Sequence, residues 1–119
     1  MARYLLSVHT GPPAPGQAPP PEQMEQMGHR IAALEAEMRA AGVWVLSVRM
    51  TEPAQARVVR ARKGRALVTD GPFVEAKEQI GGFYIVEADG LDAALEWGSK
   101  TSAAIEMPIE VWPFADWAA

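Results

Sequence analysis

The chain has 119 residues, 49% of them hydrophobic and 22% charged, which is typical of one globular domain and argues against a disordered tail, a fibrous repeat or a membrane span. It contains no cysteine, which excludes disulfides and thiolate chemistry and makes the cytoplasm the expected location. The 15 acidic and 11 basic residues give a net charge of −4, which argues against a nucleic-acid partner because phosphate binding needs an excess of Lys and Arg.

The first predicted element is a strand over residues 3–9, where the side chains alternate between two faces. One face carries Tyr4, Leu6 and Val8, and the other carries Leu5, Ser7 and His9. A proline-rich segment at residues 11–21 follows, and its fixed φ angles and missing amide donors predict a surface loop.

An amphipathic helix of about five turns is predicted after Pro21, because large apolar residues recur at alternating spacings of three and four. The stripe consists of Met24, Met27, Ile31, Leu34 and Met38, and Gly42 is expected to end the helix. Residues 43–50 then predict a strand that is apolar in both alternations and therefore buried on both faces.

Two β-rich runs at residues 56–61 and 65–69 flank Lys63-Gly64 and predict a hairpin. Asp70-Gly71-Pro72 ends the second run, because Asp and Gly favour turns and Pro cannot donate to a strand ladder. Gly81-Gly82 then predicts a bulge or a close backbone approach at the start of the next strand.

The remaining elements are a strand over residues 83–88, a short helix carrying Leu91 to Trp97 and a last strand over residues 109–114. The order strand, helix, strand, hairpin, strand, helix, strand predicts a ferredoxin-like α+β fold in a single domain spanning residues 1–119. In that βαβ(ββ)αβ arrangement the sheet is mostly antiparallel and both helices cover one of its faces.

The second face of the predicted sheet is apolar as well. Its strands carry bulky residues in both alternations, including Trp44, Phe83, Tyr84 and Trp112. A solvent-exposed face of this kind would exceed the few hundred Å² that monomers usually leave apolar. We therefore expect a two-fold homodimer in which the open sheet faces pack together and bury on the order of 2,000 Å² or less.

Three residues are candidates for acid-base chemistry: Asp70, His9 and His29. Asp70 follows a strand and precedes a rigid Gly-Pro turn, so its carboxylate either points into a cleft or bonds only to the turn. His9 projects with Ser7 toward the open sheet face, whereas His29 lies off the centre of the helical stripe and is expected near solvent. Ligand-binding side chains are expected at Ser7, Phe73, Lys77 and Tyr84.

No metal or cofactor is expected, because the two histidines lack metal-ligand spacing and the chain has neither a dinucleotide motif nor a phosphate loop. Five of the 11 basic residues lie on the predicted hairpin, namely Arg57, Arg60, Arg62, Lys63 and Arg65. This basic cluster either docks an acidic partner or an anionic ligand, or protects an exposed strand edge from aggregation.

The run from Val68 to Tyr84, which contains Asp70-Gly71-Pro72-Phe73, resembles the signature of the DGPF branch of the YCII-related family. Residues 85–87, 91–97 and 39–43 continue the match. The resemblance implies a dimeric ferredoxin-like, or α/β-barrel, fold and a cleft at the sheet where relatives carry a His and Asp pair. It also implies a link to extracytoplasmic-function sigma factors, beside which DGPF proteins are often encoded.

Two functions, and beside them a purely structural role, stay open at this point. In the first, Asp70 and either His9 or His29 perform acid-base chemistry on an unknown small molecule in a cleft of the dimer. In the second, the protein is a non-catalytic ligand-binding or regulatory module that contacts a partner such as a sigma factor. A hydrogen bond between Asp70 and an imidazole would favour the first function.

Overall fold

The computed structural model describes residues 1–10, 19–73 and 78–115. Its elements in chain order are β1 (Ala2–Thr10), α1 (Pro21–Ala40), β2 (Trp44–Arg49), β3 (Arg57–Arg62), β4 (Arg65–Asp70), β5 (Gln79–Ala88), α2 (Leu91–Ile105) and β6 (Ile109–Pro113). A single 3₁₀ turn at Pro53–Gln55 precedes β3. The predicted proline-rich loop falls mostly at residues 11–18, outside the described residues, and Pro21 is the first residue of α1.

Four strands form an antiparallel sheet in the order β2-β5-β1-β6. The central strand is β1, in which Leu6 lies opposite Tyr84 of β5 on one side and Val111 of β6 on the other. Two helices and an antiparallel sheet in this order are consistent with the predicted ferredoxin-like α+β fold.

Both helices cover the same face of the sheet, as predicted. The core contains Tyr4 and Leu6 of β1, Tyr84, Val86 and Ala88 of β5, Leu34 and Met38 of α1, and Ala94 and Ala104 of α2. The buried face of α2 consists of small residues, and a Cβ atom added at Gly98 would lie 2.8 Å from Val111 Cγ2. Small side chains therefore allow α2 to pack close to the sheet.

The carboxyl end of α1 forms the termination predicted at Gly42. This glycine has a φ of 72°, and its amide donates to the Arg39 carbonyl. The Val43 amide donates to the Met38 carbonyl at 3.0 Å, which completes a Schellman motif. The apolar stripe is buried only in its second half: Leu34 and Met38 are buried, whereas Met24 is 56% exposed.

The prediction that residues 43–50 are buried on both faces was wrong. As the edge strand of the sheet, β2 pairs only with β5, and its second half, Ser47 to Arg49, is exposed. An irregularity between Trp44 and Leu46 turns Trp44 toward the helices, while Leu46 and Val48 face the open side. Tyr84 also lies on the helix-covered face, so only Phe83 and Trp112 of the four predicted aromatic residues belong to the open face.

The predicted hairpin is confirmed, but it does not extend the main sheet. Strands β3 and β4 pair only with each other and form a separate two-stranded sheet, which we call the arm (residues 57–70). The radius of gyration is 16.8 Å, against about 13.5 Å for a compact chain of this length. Because the strands of the arm contact mainly each other, the arm projects from the body formed by the remaining elements.

Gly81 and Gly82 lie inside β5 and not before it. The register between β1 and β5 shifts between Val8 and His9, so Gly81 is the extra residue of a bulge, as the glycine pair predicts. A Cβ atom at Gly82 would lie 2.7 Å from the backbone oxygen of Val48, which explains why the neighbouring strand tolerates only glycine there. Within the described residues, neither helix is both long and apolar enough to cross a membrane.

Candidate functional site

The open face of the sheet combines apolar and titratable side chains. Leu5 of β1 lies between Trp112 of β6 and Ile85 of β5. Two residues further along β1, Ser7 lies between Glu110 of β6 and Phe83 of β5. Trp112 is 60% exposed, whereas Ser7 lies between its larger neighbours and is only 1% exposed. The face therefore has an apolar part around Leu5 and a polar part around Ser7.

A pocket of about 310 Å³ opens at the polar part, where β1 ends and β6 begins. Its walls are formed by His9, Glu78, Pro108, Ile109 and Glu110, and we call it the His9 pocket. A larger groove of about 570 Å³ runs between α2 and β6 and is lined by apolar and serine side chains. Because the His9 pocket alone of these two contains titratable groups, it is the better candidate for acid-base chemistry.

The imidazole of His9 has two polar neighbours. Its Nε2 atom lies 3.2 Å from Ser7 Oγ and 3.8 Å from Glu110 Oε1. Both neighbours approach the same nitrogen, whereas in a Ser-His-acid triad the acid binds Nδ1 and the serine binds Nε2. Among the described residues no acid lies on Nδ1 as it does in a triad, and Nδ1 is the nitrogen that faces away from both contacts.

Asp70 is the last residue of β4, at the strand end where it was predicted. Its side chain is 91% exposed, and its Oδ1 atom lies 3.1 Å from Arg57 Nε on the paired strand of the arm. Among the described residues, no hydrogen bond or ion pair joins Asp70 to either histidine within one chain. The structure thus brings Ser7 and His9 together but places Asp70 on the arm.

His29 lies on the exposed side of α1, near solvent as expected. Its side chain is 76% exposed, and Nε2 lies 3.7 Å from Glu25 Oε1 one helical turn earlier. A solvated pair of this kind is worth at most a few tenths of a kcal/mol to the helix. Neither the His9 pocket nor the α2–β6 groove has His29 in its wall.

Of the other predicted ligand-binding residues, Phe73 and Tyr84 lie away from the His9 pocket. Phe73 is 75% exposed beside the arm, with the Arg60 guanidinium 5.4 Å from its ring centre. Tyr84 is buried on the opposite face of the sheet, and Lys77 lies outside the described residues. Among the predicted ligand-binding residues that the structure describes, Ser7 is therefore the one placed beside His9.

Glu35 organises a second polar cluster, on the helix-covered side. Its carboxylate accepts hydrogen bonds from the Tyr84 hydroxyl at 3.2 Å and from Ser47 Oγ at 3.4 Å. Arg39 Nη2 lies 3.8 Å from Glu35 Oε1, and its guanidinium lies 4.5 Å from the ring centre of Trp44. The cluster ties α1 to β2 and β5.

The phenol of Tyr84 is strongly perturbed in this cluster. Burial raises its pKa above the ordinary value of 10.0, and the negative charge of Glu35 and the hydrogen bond to it raise the pKa further. The phenol is therefore a neutral hydrogen-bond donor over the physiological pH range, and its role is to hold Glu35 in place.

The sequence pattern did not single out two side chains of these polar clusters, Glu110 beside His9 and Glu35 beside Tyr84. The sequence could have indicated Glu110, because it lies two residues before Trp112 and therefore on the same face of the last strand. Ser7 lies on that face of the neighbouring strand β1. The sequence could have indicated Glu35 as well, because it lies between Leu34 and Met38 on the apolar stripe of α1, where a carboxylate needs partners. Within the described residues, no three His, Asp or Glu side chains converge as metal ligands.

Comparisons with known proteins place this chain in a family. The model of the YCII-related domain matches residues 3–117, which is nearly the whole chain. An uncharacterized protein of Rhizobium meliloti (strain 1021) is 32% identical over 83 residues, covering 70% of this chain and 67% of the relative. The match includes the sheet, both helices and the pocket described above, and the chain belongs to the family of YCII-related domain proteins.

Proposed function

We propose that the protein is a cytoplasmic homodimer in which His9 exchanges protons with a small molecule bound in the His9 pocket. The observation that carries this proposal is the placement of the His9 imidazole in the pocket wall, with Ser7 and Glu110 both on Nε2. Histidine is the side chain whose ordinary pKa best suits proton transfer near neutral pH.

The position of His9 suits this role in two respects. Its side chain is 38% exposed, so a ligand in the pocket reaches the ring while the backbone of β1 fixes its direction. The carboxylate of Glu110 lies 3.8 Å from Nε2, so an acidic group stands beside the ring. Nδ1 is then the nitrogen available to the ligand.

The homodimer proposal is supported by the apolar part of the open face. Trp112 is 60% exposed and Val48 is 37% exposed, and both lie on the side of the sheet that the helices do not cover. A second copy packed on this face would remove these side chains from water and would close the open side of the His9 pocket. The α/β barrel implied by the family resemblance is this arrangement.

Two further parts of the proposal rest on the sequence. The motif Asp70-Gly71-Pro72-Phe73 supports membership of the DGPF branch within the family. The cysteine-free composition supports a cytoplasmic location, because such a chain does not depend on an oxidising compartment.

The test of the pocket uses two matched substitutions, His9→Gln and His29→Gln. A small-molecule library is screened by thermal shift against both variants and the wild-type protein. We expect compounds that raise the melting temperature of wild type and of His29→Gln but not of His9→Gln, because only His9 lies in the pocket. The same compounds should shift the imidazole NMR signals of His9 and leave those of His29 unchanged.

Catalysis is then separated from binding with the compounds that the screen identifies. Each is incubated with protein in deuterated water, and loss of carbon-bound protons or conversion to a product is followed by NMR. We expect exchange or conversion with wild type and its loss with His9→Gln. Compounds that stabilise His9→Gln as well as wild type would overturn the proposed site.

A non-catalytic ligand-binding or regulatory module is the second candidate function. The observation that favours it is the ion pair of Asp70 with Arg57, which leaves His9 without an aspartate partner among the described residues of its own chain. In this case compounds bind at His9 without exchange or conversion. A sigma factor of the extracytoplasmic-function class is then the partner to test, by co-purification with the ligand present.

The homodimer is tested by sedimentation equilibrium of the wild-type protein and of two variants in which an aspartate replaces an apolar residue. Trp112→Asp places a charge on the open face, whereas Leu91→Asp places one on α2, where Leu91 is 49% exposed. We expect dimers for wild type and Leu91→Asp and monomers for Trp112→Asp. A wild-type protein that is monomeric at micromolar concentration would sink the dimer proposal.

A further inference from the structure

The arm cannot be stable through its own contacts alone. It consists of two strands that pair only with each other, and an isolated two-stranded hairpin is marginally stable at best in water. All its residues except Val58 are exposed, including Val59 at 60%, Val68 at 59% and Leu67 at 57%. Apolar side chains at this exposure on a projecting hairpin indicate a surface that another molecule covers.

The register of the arm separates its side chains into two faces. Val59 lies opposite Val68 and Ala61 opposite Ala66, which gives one face an apolar centre. On the other face Arg60 lies opposite Leu67 and Arg62 opposite Arg65, so cations dominate. The arm therefore offers an apolar surface and a basic surface back to back.

The charges of the arm and of the body are of opposite sign. The arm carries five cations and one carboxylate, a net charge of +4, whereas the whole chain carries −4, so the residues outside the arm carry −8. Opposite net charges on two parts of one chain favour contact between the arm of one copy and the body of another.

We propose that the arm docks on the body of a second copy of this chain, which covers its apolar side chains and places its arginines within reach of acidic groups of the partner. The proposal rests on the homodimer proposed above and extends it. The arm follows β2, the edge strand whose exposed Val48 belongs to the open face, so the chain leads from the edge of that face into the arm. In a two-fold dimer the contact is reciprocal, so the arm of each copy docks on the body of the other.

The decisive experiment measures the dimer dissociation constant by sedimentation equilibrium for wild type and for the triple variant Arg60→Glu/Arg62→Glu/Arg65→Glu. All three side chains are exposed, and residues 62 and 65 remain a like-charge pair, so the hairpin itself changes little. We expect the dissociation constant to rise about ten-fold or more, because repulsion from the acidic body replaces attraction. Raising the salt concentration should weaken the wild-type dimer and not the variant.

A matched pair of single substitutions separates the arm from general charge effects. Arg62→Glu and Arg49→Glu make the same change in net charge at exposed positions, but only Arg62 lies on the arm. We expect the first to weaken the dimer several-fold and the second to leave it unchanged. Equal effects of the two substitutions would overturn the proposal.

Removal of the arm provides a measurement that does not depend on charge. The Gly71 amide donates to the Ala56 carbonyl at 2.8 Å, so residues 57–70 can be deleted and the ends joined by a short turn. We expect a folded body with the circular dichroism of wild type after subtraction of two strands, and a weaker dimer. An unchanged dissociation constant would overturn the arm contact while leaving the open-face dimer intact.

The outcomes distinguish this proposal from the one on which it rests. If Trp112→Asp leaves a dimer that the triple variant dissociates, the arm contact stands and the open-face dimer fails. If wild type is a monomer whose arm binds a short DNA duplex in a salt-dependent manner, the occupant is a polyanion and the arm proposal is overturned.

Discussion

The two faces of the four-stranded sheet are built from alternate residues of the same strands, yet they differ in burial. On the helix-covered face Leu6 and Val86 are fully buried, and Tyr84 is 6% exposed. On the open face their sequence neighbours Leu5 and Ile85 are only half-buried, and Trp112 is 60% exposed. Because strand propensity is shared by both faces, the difference comes from what packs on each of them.

The difference between the two faces determines which of them can bind a ligand. The covered face is filled by both helices, and the Glu35 carboxylate there holds α1, β2 and β5 together. The open face keeps the His9 imidazole and the Glu110 carboxylate in the wall of a pocket, with the Ser7 hydroxyl 3.2 Å from the imidazole. The fold therefore stabilises itself with one face and leaves the other for a ligand and a second copy.

The largest expected effect is the difference in stability loss between the same substitution on the covered face and on the open face. Leu6→Ala removes a side chain that is 0% exposed and should lower the free energy of unfolding by about 2–5 kcal/mol, through lost burial and the cavity left behind. The same substitution at Leu5, one residue earlier and on the open face, should cost clearly less. Chemical denaturation of both variants measures the difference.

Protein concentration provides the control for this pair. If a second copy covers the open face, the loss in Leu5→Ala depends on protein concentration, whereas the loss in Leu6→Ala changes little with it. Equal losses in both variants at every concentration would contradict the division of the sheet into a self-sufficient face and an interface.

Glycine substitutions give the next largest effect and test the close approach of β5 to β2. Gly82→Ala places a Cβ atom 2.7 Å from the Val48 backbone oxygen, so the strands must separate, at a cost of about 1–3 kcal/mol. Gly28→Ala on α1 meets no atom within 4 Å and should stabilise the helix by up to about 1 kcal/mol. Thermal denaturation of both variants should therefore show shifts of opposite sign.

Much of this fold follows from patterns that are local in sequence. Alternation in β1, the glycine at the end of α1 and the turn at Lys63-Gly64 predict their elements because each depends on neighbouring residues. The detachment of the arm and the edge position of β2 could not be predicted in this way. Both depend on which strands pair, and the apolar residues of β2 are compatible with an edge as well as with a central strand.

Tyr84→Phe has a smaller effect that depends on pH. Loss of the hydrogen bond to Glu35 should cost about 1–2 kcal/mol at neutral pH. The pKa of Tyr84 in the folded protein is raised above its ordinary value of 10.0, so the unfolded chain releases this proton at lower pH than the folded protein. The stabilisation is therefore complete below about pH 10 and is lost as the pH rises above it.

The measurement is the free energy of unfolding against pH, with Tyr4→Phe as the control. Tyr4 and Tyr84 are each 6% exposed, and both lie on the helix-covered face. The wild-type protein and Tyr4→Phe should lose stability more steeply above pH 10 than Tyr84→Phe does. Parallel curves for all three proteins would show that the Tyr84 phenol does not carry this pH dependence.

The candidate site was predicted only in part, for a physical reason. His9 and Ser7 are two residues apart on one strand, and period-two alternation places them on the same face. The register of β1 with β6 places Glu110 next to them. Asp70 lies apart from them because its hairpin does not join the main sheet. Contacts within a strand follow from the sequence, whereas contacts between strands depend on pairing.

Asp70→Asn has the smallest expected effect on stability and the sharpest consequence for function. The Asp70 carboxylate is 91% exposed and its ion pair with Arg57 lies in solvent, so its loss should change the free energy of unfolding by less than about 1 kcal/mol. A fall in ligand binding or turnover in this stable variant would then have to come from Asp70 acting outside its own chain, because its own His9 has other partners. The arm provides such a route, since an arm that docks on a second copy carries Asp70 toward that copy. If Asp70→Asn changes neither stability, dimerisation nor ligand binding, the carboxylate only neutralises Arg57 at the base of the arm.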